Sequence, residues 1–113
     1  MVFLDFKMAL FLFFLIMDGL FFYIDISLQT AQGPQRFGRF ELGSDREAAK
    51  ELFKRLKGSS ACDPKDMLFI ELMETVNGLP LNHDILTCDL QELGANTMLI
   101  TQEIFRLFNL KSV

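Results

Sequence analysis

Ten consecutive apolar residues, Met8 to Met17, open the stretch MALFLFFLIMDGLFFYI that ends at Ile24. In a chain of 113 residues such a run decides the compartment. Read through Asp18 to Leu28, it supplies about twenty residues, enough to span ~30 Å of hydrocarbon as a helix. An aspartate near the middle costs roughly 2.5 to 3.5 kcal/mol, and each Leu, Ile or Phe returns about 0.3 to 0.6, so insertion is favoured. On a helical wheel Lys7, Asp18 and Asp25 fall within about 20° of one line, an intramembrane polar stripe able to face a partner helix. Residues 8–28 are therefore read as a single-pass membrane segment. Lys7 on one side and Arg36 with Arg39 on the other leave its orientation open. Ten apolar residues also suit the core of a signal peptide. Asp5 and the absence of a good small-residue pair downstream fit cleavage poorly. Translated thymine-rich non-coding sequence is a third source of such a run.

Seven of the thirteen phenylalanines lie in the first 28 residues, so the chain changes character after them. Residues 29–43 are polar, carry Pro34 and several glycines, and read as a linker. The PQRFGR within it resembles the end of an RFamide neuropeptide precursor. Paired basic residues, which such precursors use for cleavage, are missing.

From Ser44 onward the punctuation is helical. Ser44 with Glu47 suits a capping box, and Gly58 a helix end; Ala48, Ala49, Leu52, Phe53 and Leu56 share the face between them. Asp63 before Pro64 starts a second helix running to Val76 and stopped by Asn77-Gly78. Asn82 caps a third with Ile85, Leu86, Leu90 and Leu93 inward and Gly94 at its end. Asn96 starts a fourth through Ile100, Ile104 and Phe108. The expected fold is all-α: residues 44–113 as a small four-helix bundle behind a hydrophobic N-terminal helix and a polar linker.

Asp63–Leu68 (DPKDML), Gly78–Leu86 (GLPLNHDIL) and Leu93-Gly94 together resemble the amino-terminal helical domain of elongin A and transcription elongation factor S-II. The likeness spans residues 46–110. The basic segment that follows the glycine in that family is replaced here by ANTMLITQ. The resemblance implies a helical, non-catalytic adaptor that docks short peptide segments of elongation partners in the nucleus.

Arg46, Lys50, Lys54 and Lys57 recur every three or four residues and make one basic stripe. It is either a solvated face or a surface for an acidic peptide or an anionic membrane. The net charge of −4, and a stretch from Cys62 to Ile104 whose only lysine or arginine is Lys65, oppose nucleic-acid binding. Cys62 and Cys88 form a disulfide if the chain is secreted and stay free thiols otherwise. His83, the single histidine, lacks metal-ligand spacing and reads as a surface residue. No phosphate-binding glycine loop or catalytic motif occurs, so no enzyme and no cofactor are expected. The functional expectation is a membrane-tethered protein-interaction module. The alternatives are a soluble nuclear adaptor or a small secreted protein or peptide precursor.

Overall fold

A computed structural model describes residues 20–61 and 67–108. Four antiparallel strands and two helices follow one another as two hairpin-then-helix units. The first contains β1 (Leu20–Thr30), β2 (Gly33–Gly43) and α1 (Arg46–Arg55). The second contains β3 (Leu68–Val76), β4 (Leu79–Cys88) and α2 (Leu90–Leu107). The sheet order is β2-β1-β3-β4, so the leading strands of the two units meet at its centre.

This overturns the all-α expectation. Asn77-Gly78 does not stop a helix; both residues take positive φ, 52° and 80°, and turn β3 into β4. An Asn-Gly pair between apolar runs is the strongest short hairpin signal, because both central residues of the tightest turn need that conformation. The run read as the second helix, up to Val76, contains a strand flanked on both sides, in which Leu68, Ile70 and Leu72 alternate into the core. The helical architecture implied by the elongation-factor resemblance is likewise not the one observed over residues 68–88. Asp63 and Pro64 lie outside the described residues.

The membrane expectation is corrected as well. Leu20–Leu28, the second half of the supposed span, is the body of β1 and pairs with Leu68–Val76 of β3. Phe22, Ile24 and Ile26 are buried at 0 to 2 % exposure. Asp25 points to the opposite face and bonds Arg39 of β2, Nε to Oδ1 at 2.8 Å. Among the described residues no helix is long and apolar enough to cross a membrane. Hydropathy misleads here because Leu20–Ile24 is apolar at every position, and a short apolar run does not by itself distinguish strand from helix. The intramembrane stripe dissolves with the helix: Asp25 sits at a two-residue period, and Lys7 and Asp18 lie outside the described residues.

The residues read as a linker form the end of β1 and all of β2, an edge strand in which the PQRFGR segment lies. Glycine and proline are tolerated at an edge, where one row of backbone groups needs no partner. Both helices begin on an aspartate that accepts a backbone N–H: Asp45 from Ala48 at 3.0 Å and Asp89 from Glu92 at 2.7 Å. The cap of α1 is thus Asp45 rather than Ser44. The two helices expected on either side of Gly94 are one, Leu90–Leu107. Ala49, Leu52 and Phe53 of α1 and Ile100 of α2 close over Phe22, Ile24, Ile26, Ile70, Leu72 and Leu86 of the sheet. Asn96 is fully buried because it stitches α2 to the end of α1. Its Oδ1 accepts from Lys57 N at 2.7 Å and its Nδ2 donates to Lys57 O at 2.8 Å.

Candidate functional site

The apolar alternation of β3 runs Leu68, Ile70, Leu72 and then breaks at Glu74, which is 1 % exposed on the same face. A buried carboxylate must be paired, since desolvating its charge alone is prohibitive. Its two partners come from different elements. Arg46, in the first turn of α1, donates Nη2–H to Glu74 Oε2 at 3.1 Å. His83 of β4 meets the other carboxylate oxygen, Oε1, through Nε2.

A β-bulge delivers the histidine. Leu72 faces Asp84 and Met73 faces Asn82, which leaves His83 as the extra residue between them. Such a bulge re-aims a side chain that regular pleating would send elsewhere. Phe22 of β1 packs beside the cluster, with its ring centroid 5.8 Å from that of His83 and 5.4 Å from the Arg46 guanidinium carbon. Together Arg46, Glu74, His83 and Phe22 form one packed group joining α1 to three strands.

Beside this group lies a cleft of about 300 Å³, lined by Lys50, Phe53 and Lys54 of α1, Leu72 of β3, and His83 and Asp84 of β4. Its walls are basic on the helix side and mixed on the sheet side. Asp84 turns one carboxylate oxygen back to its own strand, accepting from Ile85 N at 2.9 Å. Lys54 approaches Glu51 at 3.6 Å, with both side chains more than 70 % exposed. Such a pair contributes little and leaves the ammonium available. Among the described residues the cleft lining holds no serine, threonine, tyrosine or cysteine, so the Glu–His pair meets no hydroxyl or thiol there.

The basic stripe read from the sequence is therefore divided. Arg46 is committed to Glu74, Lys50 and Lys54 line the cleft, and Lys57 lies past the end of α1 with its backbone held by Asn96. The sheet half of the cleft, Leu72, His83 and Asp84, and the buried Glu74 behind it were not anticipated. The one available signal was an acid interrupting the apolar series of β3.

A second cavity, about 370 Å³, sits at the far end of β4 between Gly58, Ser59, Thr87, Cys88, Asp89 and Glu92. Burial first, then the charges of Glu92 and Asp89, pushes the Cys88 thiol up to about 11. A thiol held protonated is a poor nucleophile and a poor metal ligand. Cys88 is free, and Cys62, its candidate disulfide partner, lies outside the described residues. Among the described residues no group of three or more His, Cys, Asp or Glu is placed to hold a metal ion.

On the sheet face away from the helices, Asp25 lies opposite Glu71 of β3 as well as Arg39 of β2. Two carboxylates side by side repel, and Arg39 offsets this with bonds to both Asp25 oxygens while its guanidinium stacks 4.2 Å from the Tyr23 ring centroid. Asn82 serves Glu71 similarly, donating Nδ2–H to its Oε2 at 2.8 Å. These contacts complete one another and hold the sheet together. No protein-family model matches the chain, and no curated protein or solved structure is similar to it.

Proposed function

We propose that the chain is a non-catalytic binding module whose cleft between α1 and β4 accepts an acidic segment of a partner protein. The observation that carries this reading is the lining of one cleft by Lys50, Lys54 and His83, three cationic or cation-forming side chains from two elements. Arg46 is spent on Glu74, so the buried carboxylate is already compensated and does not consume the charge of the two lysines. Phe53 and Leu72 give the cleft an apolar floor, against which the methylene groups of a Glu side chain pack. A volume near 300 Å³ suits one or two side chains, at the lower limit of ordinary ligand pockets. Acidic charge elsewhere on the chain repels nucleic acid and leaves this helix edge as a local basic feature.

Titration of a fluorescently labelled hexaglutamate peptide onto the full chain tests the reading. Binding should weaken as salt rises from 50 to 300 mM, because exposed ion pairs are screened. The double variant Lys50→Glu, Lys54→Glu should lose at least about tenfold in affinity while its circular dichroism is unchanged, since two attractions become repulsions. Equal affinity of variant and wild type would overturn the proposal.

A further inference from the structure

Within the cleft, the ring nitrogen of His83 that a ligand meets is fixed by what holds the other one. Nε2 is engaged by Glu74 Oε1, so Nδ1 is the nitrogen left for the cleft. A carboxylate at Glu74 calls for a proton on Nε2. In a neutral imidazole that choice leaves a lone pair on Nδ1, which repels an incoming carboxylate. An acid side chain is accepted only if Nδ1 carries a proton too.

We infer that His83 is a proton-coupled carboxylate receptor: an acidic side chain of the partner binds Nδ1–H of an imidazolium whose Nε2–H is held by Glu74, and a proton is taken up as it binds. The inference rests on the acidic-segment reading above and adds the contact atom and the linked proton. Each ring nitrogen then donates to one carboxylate, with Glu74 on the inner side and the ligand on the outer. Glu74 positions the ring, and Arg46, donating to Oε2, fixes the orientation of the Glu74 carboxyl group.

The charged groups around the ring are Arg46, Lys50 and Lys54 from α1, Glu74 from β3 and Asp84 from β4; β1 contributes the uncharged Phe22. Of these side-chain types only histidine changes charge between about pH 5 and 8. Lysines and arginine stay cationic there, and carboxylates stay anionic. A carboxylate bound at Nδ1 favours the doubly protonated ring over the neutral one, so proton uptake is linked to the ligand.

Calorimetric titration of the full chain with hexaglutamate, in buffers of low and high ionisation enthalpy at pH 7.5, measures this proton directly. The expected result is uptake approaching one proton per peptide, with affinity falling by up to about tenfold per pH unit on the alkaline side. His83→Gln keeps a donor in place but cannot titrate, so its binding should show no buffer-dependent heat and a flat profile from pH 6.5 to 8.5. The chain's amino terminus titrates in the same range, which makes this variant the decisive control. Wild-type binding without proton uptake would overturn the inference and leave the acidic-segment reading standing. The same uptake in His83→Gln would overturn it by placing the proton elsewhere. Absence of binding at every pH would overturn both.

Discussion

Replacing Ile24 with alanine should destabilise the protein by about 3 kcal/mol, within the range of about 2 to 5 kcal/mol seen for such truncations. Ile24 is fully buried in β1, between Phe40 of β2 and Leu72 of β3. The substitution removes three carbons, worth about 0.8 kcal/mol each in transfer alone, or roughly 2.4 kcal/mol. A cavity term adds to this, and hydrogen-bonded strands on both sides limit how far the site can collapse. For a domain of this size about 1 kcal/mol shifts the melting midpoint by ~4 to 8 °C, so a drop of roughly 12 to 24 °C is expected. Urea and thermal unfolding followed by far-ultraviolet circular dichroism measure it. Phe37→Ala, at a residue 56 % exposed on the edge strand, serves as the comparison and should stay within about 0.5 kcal/mol of wild type. An unchanged midpoint for Ile24→Ala would refute the placement of this residue in the core.

Three further outcomes follow from other contacts. Asn96→Ala should cost about 1 to 3 kcal/mol in urea unfolding, because it strands the Lys57 backbone that the amide satisfies on both sides. Arg106, through its hydrogen bonds, and Arg55 hold the Glu103 carboxyl below the usual carboxylate range against the opposing effect of its burial. A depressed acid contributes stability above its unfolded pKa, near 4.3, that is lost as pH falls through the folded value. Glu103→Gln should therefore be less stable than wild type at pH 7, and the gap should close in acid unfolding series. With its thiol pushed from an ordinary value near 9 up to about 11, Cys88 has a thiolate population roughly 10²-fold smaller than a free thiol. Iodoacetamide at pH 7.5 should label it slowly in the native protein and at the ordinary rate in urea, as read by peptide mass.

What was legible in the sequence was local. The apolar face and the end of α1 were read correctly to within a few residues, because helix periodicity and breakers act over one or two turns. The recurrence of Arg46, Lys50 and Lys54 was visible for the same reason. Pairing between strands was not visible. Leu68–Val76 adds Phe69 and Met73 to the inward series Leu68, Ile70 and Leu72, so its period of two is blurred into what looks like a helix buried all round. Asn77-Gly78 held the corrective signal, since a hairpin turn there makes strands of both flanking runs. Gly94 does not end a helix: one glycine costs about 1 kcal/mol, and the capped, packed α2 runs through it. The Glu74–His83 contact depends on a bulge in β4, which composition does not announce. Membrane length arithmetic failed for a related reason, because it counts apolar residues without asking whether neighbouring strands satisfy their backbone.

Backbone amide NMR of the isotopically labelled full chain, titrated with hexaglutamate at pH 6.5 and low salt, tests the binding cleft most directly. Saturable shifts are expected at Lys50, Phe53, Lys54, Leu72, His83 and Asp84. Gly58, Ser59 and Thr87, around the second cavity, should stay still. Shifts confined to that acidic cavity, or none at the cleft at saturating peptide, would contradict it.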